Sequence, residues 1–209
     1  KTYPNHSILS EENGSIVTDS EYQWVIDPLD GTTNFAHKIP IFAVSIGLKK
    51  NNIIICAVVF NPAADKCFYA GLNKGAFLNG NKIQCTSSNT LSNSLIVTGF
   101  PYIHDLKYDT LFILFKEFYD KTRGVRRLGA ASLDLCFVAM GRFDAYYEFG
   151  LNEWDVCAGR LIVNEAGGTT SDWNNKNTPS TGKRILATNG IIHNQMVEIL
   201  TKKDYLIFF

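Results

Sequence analysis

The sequence predicts a layered α/β fold of mixed type, with a sheet-rich first lobe and a second lobe in which strands and helices alternate. Three observations carry that expectation. Apolar, β-branched runs joined by short turn signals crowd residues 1–88. A polar, strand-poor stretch, Thr86–Asn93, then breaks the pattern. Beyond it, segments of helical period alternate with short apolar runs, which calls for crossover connections and helices packed on a sheet. The lobes are expected at 1–88 and 89–209.

In the first lobe, the apolar pair Ile8-Leu9 precedes Glu11-Glu12. Paired glutamates are commonly solvated charge, but here at least one is expected at a strand end. Trp24-Val25-Ile26 reads as a buried strand running into Asp27. Ala43–Leu48 and Ile53–Phe60 form a hairpin through Lys49-Lys50-Asn51-Asn52, and Asn61-Pro62-Ala63-Ala64-Asp65 turns the chain into a third strand, Lys66–Ala70. Asn79-Gly80 is the dipeptide of a type I′ turn.

In the second lobe, Leu95–Thr98 is a strand, and Leu111, Leu114, Phe115 and Phe118 give Tyr108–Tyr119 one apolar helical face. Gly124–Arg127 is a short strand, and Ser132–Met140 a helix stopped at Gly141. Asp144–Phe149 is a strand, Asp155–Ala166 a helix closed by Gly167-Gly168, Asn174–Gly182 a polar loop, Ile185–Thr188 a strand and His193–Lys202 a last helix. Neither an internal repeat nor a low-complexity tract interrupts the pattern.

At 209 residues, 45% hydrophobic and 19% charged, the chain can bury a substantial core. Its 20 basic and 20 acidic residues cancel, so it carries no electrostatic footprint for nucleic acid or an anionic membrane. No run is long and apolar enough to read as a membrane span. Cys56, Cys67, Cys85, Cys136 and Cys157 lack the close spacing of zinc sites and read as buried, reduced thiols, which points to a cytoplasmic compartment.

The most informative segment is Trp24-Val25-Ile26-Asp27-Pro28-Leu29-Asp30-Gly31-Thr32-Thr33-Asn34-Phe35. Its strand delivers Asp27 and Asp30 to a sheet edge. Pro28 removes an amide donor and biases Asp27 towards an extended conformation. Hard divalent cations need several oxygens close together, and Mg²⁺ takes one or two carboxylates while keeping room for water and phosphate. Gly31 lets main-chain N–H groups approach an anion, and Thr32 and Thr33 add hydroxyls. Asp-Gly beside proline is also ordinary turn chemistry, and this segment alone leaves both readings open. Asp155, where Trp154-Asp155-Val156 begins a helix, reads as an N-cap, a role compatible with cation binding because a capping carboxylate keeps spare lone pairs.

Together these blocks resemble the inositol monophosphatase family, within the metal-dependent, lithium-sensitive sugar phosphatases. The likeness rests on Ile8-Leu9-Ser10-Glu11-Glu12, the segment from Trp24 to Phe35, Glu153-Trp154-Asp155-Val156-Cys157-Ala158-Gly159 and Glu165-Ala166-Gly167-Gly168, in the family's order. Weaker matches are Gly75-Ala76-Phe77-Leu78-Asn79-Gly80 and Arg126-Arg127-Leu128-Gly129-Ala130-Ala131. The resemblance implies an αβαβα sandwich, a homodimer, and a helical segment ahead of Glu11-Glu12 that this sequence lacks. With Lys1 in place of a methionine, the sequence reads as a fragment.

It also implies roles. Glu11, Asp27 and the carbonyl of Leu29 would hold one Mg²⁺, and Asp27, Asp30 and Asp155 a second, with a third, weaker ion near Glu11. Gly31, Thr32 and Thr33 would bind phosphate. Thr32, helped by Glu11, would orient the attacking water. Asp30, Asp155, Glu148 and the N–H of Ala131 would meet the hydroxyls of the alcohol. Glu148 is equally readable as an exposed strand-end charge; Arg126-Arg127 could approach the substrate or a partner subunit but reads more readily as a solvated or salt-bridged pair; Asn152-Glu153 reads as a tuner of the alcohol accepted. His6, His37, His104 and His193 fall outside these motifs and read as structural or surface residues. The expected activity is hydrolysis of a phosphate monoester of inositol or a similar polyol. Its rivals are a non-enzymatic binding scaffold and phosphatases for fructose 1,6-bisphosphate, NADP, histidinol phosphate or adenosine 3′,5′-bisphosphate.

Overall fold

Antiparallel sheets commonly pack one face on the core, and the chain builds its first sheet from apolar runs whose burial alternates along the strand. In the computed structural model, which describes residues 2–12, 14–101, 107–176 and 182–208, eight strands form this sheet: β1 (Ser7–Ser10), β2 (Gly14–Ile16), β3 (Tyr22–Asp30), β4 (Ala43–Lys50), β5 (Ile53–Asn61), β6 (Lys66–Gly71), β7 (Gly75–Leu78) and β8 (Asn81–Lys82). Their spatial order is β2-β1-β3-β4-β5-β6-β7-β8, antiparallel except for β1 beside β3. One face buries Ala43, Ala57, Val59, Phe68 and Ala70, while the register aligns Ile26, Ile46, Val58, Tyr69 and Phe77 in a row on the other. The β4–β5 turn bears out the hairpin reading: Asn51 and Asn52 have φ of 48° and 64°, the positive values a type I′ turn needs. Asn79 and Gly80, at 47° and 85°, do the same between β7 and β8.

The second sheet contains β9 (Leu95–Thr98), β10 (Gly124–Arg126), β11 (Ala145–Phe149), β12 (Thr169–Ser171) and β13 (Arg184–Thr188), in the order β10-β9-β11-β13-β12. β9 runs parallel to β10 and β11, and β13 antiparallel to its neighbours. After β3 comes a short helix, α1 (Thr32–Ala36), and the second half adds α2 (Tyr108–Lys121), α3 (Ala131–Ala139), α4 (Glu153–Glu165) and α5 (His193–Leu200). Residues 177–181 of the expected polar loop and His104 lie outside the described residues.

Two apolar clusters define the layers. The larger joins the inner face of the first sheet to Leu133, Leu135 and Val138 of α3, to Val156, Ile162 and Val163 of α4, and to Val97, Tyr146 and Ile185 of the second sheet. The smaller packs Leu114 and Phe118 of α2 and Met196 and Leu200 of α5 on the far face of the second sheet. The order sheet, helices, sheet, helices matches four consecutive layers of the expected sandwich. α4 ties the halves together further, because Glu165 at its end accepts the N–H groups of Asn73, Lys74 and Gly75 in the β6–β7 turn at 2.8, 3.0 and 2.7 Å.

Three expectations need correction. The cap of α4 is Asn152, and Asp155 is its N3 residue: the two form a capping box, with the Asn152 N–H donating to Asp155 Oδ2 at 2.7 Å. Of the five cysteines, none of which is in a disulfide, only Cys136 and Cys157 are buried, and Cys56 is exposed on the outer row of β5. Glu153 faces Lys49 at 2.6 Å beneath the sheet instead of the alcohol. Among the described residues no helix is long and apolar enough to cross a membrane.

Candidate active site

The parallel register of β1 with β3 sets Ser10 opposite Ile26, and the Glu11 N–H donates to the Ile26 carbonyl at 3.3 Å. Glu11 thus leaves its strand beside Asp27. β3 then bulges between Asp27 and Asp30, which lets both aspartates serve one end of the sheet. Asp27 is almost wholly buried and accepts the Leu29 N–H through Oδ1 at 2.9 Å.

Asp30, also buried, reaches across to α3. The N–H groups of Ala131 and Ser132 donate to it at 3.2 and 2.8 Å, and the Ser132 hydroxyl at 2.5 Å. Ala131 was expected to offer its N–H to a substrate hydroxyl, but that donor is taken by Asp30, a pairing between residues too distant in sequence to be read from either motif. Gly31, the N-cap of α1, has φ of 82°, and a Cβ there would lie 2.8 Å from the Ile41 carbonyl. Only glycine fits this turn. The Thr32 hydroxyl donates to the Leu29 carbonyl at 3.0 Å.

These groups line one cavity of about 380 Å³. Around it stand Glu11, Asp27, Leu29, Asp30, Gly31, Thr32, Ala131, Glu148 and Asp155, so segments from four separate parts of the sequence converge. Thr33 does not join them; it is exposed in the first turn of α1 and outside the lining. Gly99, Phe100, Pro101, Arg127, Gly129, Ala130, Phe149, Gly150, Leu151 and Asn152 complete the wall. Of these, the loop residues 99–101 and 150–151 carry no local chemical signal and went unread in the sequence.

Glu148 is buried, contrary to the exposed-charge reading, and accepts the Tyr146 hydroxyl at 2.6 Å. Its carboxylate fits only because residue 99 is glycine: a Cβ there would lie 2.2 Å from both of its oxygens. The three described histidines stay outside the cavity. His6 stacks between Tyr3 and Tyr22, His37 follows α1, and His193 is buried between the hydroxyls of Ser171 and Thr188.

Burial and mutual repulsion define the electrostatics. Burial, then the charges of Asp30, Glu11 and Asp155, pushes the Asp27 carboxyl up to about 8. Burial first, then Asp30 and Glu11, raises Asp155 to about 7. Burial raises Asp30 to about 6, against the Ser132 and Ala131 hydrogen bonds, and raises Glu148 to about 7. Neighbouring Asp134, buried on α3, is held well above the carboxylate range by burial and by the charges of Glu148 and Asp30. Carboxylates so arranged favour a cation, and all the donors are hard oxygens, the class that suits Mg²⁺. Among the described residues no three His, Cys, Asp or Glu side chains are grouped tightly enough to hold an ion by themselves.

Two mixed sheets enclose helices, and an acidic cleft opens where strand ends meet helix starts, an α/β scaffold with a hard-oxygen site for cations. The chain belongs to the inositol monophosphatase family, whose profile matches residues 1–205. It is 43% identical over 202 residues to a putative Nus factor SuhB of Neisseria meningitidis, covering 96% of this chain and 77% of that protein. An inositol-1-monophosphatase of Synechocystis sp. is 45% identical over 198 residues, covering 94% and 69%. The crystal structure of extragenic suppressor protein suhB from Bartonella henselae superposes with a TM-score of 0.91 at 38% identity, covering 97% of this chain and 78% of that one.

Proposed function

We propose that the cleft hydrolyses a phosphate monoester of inositol or a similar small polyol with Mg²⁺. The observation that carries the reading is the convergence of Glu11, Asp27, Asp30 and Asp155 on one cavity, each acid raising the affinity of its neighbours for positive charge. The family is generally metal-dependent. Glu11, Asp27, the Leu29 carbonyl, Asp30 and Asp155 would hold two ions, with Asp27 shared. What Mg²⁺ supplies there is a lowered pKa for water and charge stabilisation on the departing ester oxygen.

The chain's own groups do the positioning that phosphoryl transfer chiefly needs. The Gly31 turn and the start of α1 would receive the phosphate, with Thr32 beside it. Because the Thr32 hydroxyl spends its proton on Leu29, its oxygen is left to accept one from the attacking water, on the side where Glu11 leaves β1. Ala131 and Ser132 fix Asp30 rather than the alcohol. Glu148, held by Tyr146, is the acceptor for a substrate hydroxyl, and Asn152 both caps α4 through the Asp155 box and lines the alcohol side.

The names of relatives include inositol-1-monophosphatase and Nus factor SuhB. A second, non-enzymatic role in protein contacts is compatible with the latter, and a homodimer with either. Phosphate release from inositol 1-phosphate with Mg²⁺ tests the hydrolytic reading. Wild type should turn over and Asp27→Asn should lose about a hundredfold or more in kcat, on the scale of deleting a group that acts in the transition state. Equal turnover by the Asn variant contradicts the site.

A further inference from the structure

The wall of the cavity carries five carboxylates, Glu11, Asp27, Asp30, Glu148 and Asp155, and among the described residues a single cation, Arg127. Its neighbour Arg126 turns away, donating through Nη1 to the Val125 carbonyl. The Arg127 guanidinium lies over Gly129, where a Cβ would come within 2.8 Å of Nη1, so the absence of a side chain at 129 makes its seat. Its charge reaches two buried acids, Glu148 and Asp134, and lowers both. Yet among the described residues no carboxylate or carbonyl is within ion-pair or hydrogen-bond distance of it, and the side chain stays exposed at the cavity mouth. A guanidinium offers a fork of donors suited to two oxygens of one anion.

We propose that Arg127 is a specificity residue, whose guanidinium recognises a second anionic group on the alcohol portion of a phosphorylated polyol, on the Glu148 side of the cleft. The inference rests on the hydrolytic reading above and extends its substrate class to polyols that carry an anion besides the phosphate removed. Among the described residues of the cavity wall, Arg127 is the one cation set against its acids, so it is the group there that could receive such an anion. With it, the second anion meets a permanently charged donor pair, and its approach to the cleft is steered as well.

The test compares two probes with the same ring: inositol 1-phosphate and inositol 1,4-bisphosphate. Initial phosphate release is measured for wild type, Arg127→Met and Arg127→Lys with Mg²⁺, thermal melting being used to verify folding. The quantity read is kcat/KM for the bisphosphate divided by that for the monophosphate. The expected result is a fall in this ratio of about tenfold or more in Arg127→Met, carried mainly by KM, with partial recovery in Arg127→Lys, which keeps the charge and loses the fork. A ratio unchanged within about twofold overturns the proposal, because Arg127 would then act on the scissile phosphate or on neither group. Failure of wild type to process the bisphosphate overturns it too. Failure of wild type on both probes instead removes the hydrolytic reading on which it rests.

Discussion

Replacing Gly99 by alanine should damage the site from behind, through Glu148. The added Cβ would sit 2.2 Å from both Glu148 oxygens and 2.3 Å from its Cδ, so the carboxylate must leave its seat. Tyr146, wholly buried, then loses the partner that accepts its hydroxyl at 2.6 Å. An orphaned buried hydroxyl costs about 1–3 kcal/mol. Overpacking at a filled position adds about 1–3 kcal/mol. The sum, roughly 2–6 kcal/mol, corresponds in a chain of this length to a fall in Tm of roughly 5–20 °C. Differential scanning calorimetry reads the stability, and the KM for inositol 1-phosphate reads the displaced acceptor, which should raise it. Adding Tyr146→Phe removes the hydroxyl that would be orphaned, so the double variant should cost less than the sum of the two single changes. A Gly99→Ala protein with wild-type Tm and KM would refute the argument, as would strict additivity in the double variant.

Two other outcomes follow from the same geometry. The raised carboxyls of Asp27, Asp155, Glu148 and Asp30 keep protons in the folded chain that the unfolded chain has released, so their contribution is full below about pH 4 and is lost as pH rises through about 6 to 8. Urea midpoints in EDTA should therefore decline over that range, and saturating Mg²⁺, which favours the charged forms, should flatten the decline; parallel curves with and without Mg²⁺ would count against a shared cation site. Glu165→Gln should loosen α4 from the β6–β7 turn by about 1–3 kcal/mol, because three N–H donors lose a charged acceptor; an unchanged denaturation midpoint would show that the clamp adds nothing.

Local chemistry explains which features could be read in advance. The two hairpin turns were legible because Asn-Asn and Asn-Gly announce positive φ within the dipeptide itself. The acidic cluster was legible because Asp27, Asp30, Gly31 and Thr32 lie together, and β3 carries them as a unit to the sheet edge. Strands β2 and β12, each three residues long, have no period to detect and exist because β1 and β13 offer them an edge. The cap of α4 was misplaced because Asn152 and Asp155 are both good capping residues, and the capping box uses both. The burial of Glu148 was undecidable from Tyr146-Tyr147-Glu148-Phe149, since it depends on the space left at Gly99, on a different strand's end. The engagement of the Ala131 amide was hidden for the same reason: its acceptor, Asp30, comes from the other sheet.

The claim on which all of this turns is that distant acids share one cation-holding cleft, and titration calorimetry of Mg²⁺ in the presence of inorganic phosphate addresses it most directly. Wild type should bind Mg²⁺ with protons released on binding near pH 7, and Asp27→Asn and Asp155→Asn should each weaken that binding by about tenfold or more. Equal affinity in wild type and both variants, with no proton release, would contradict it.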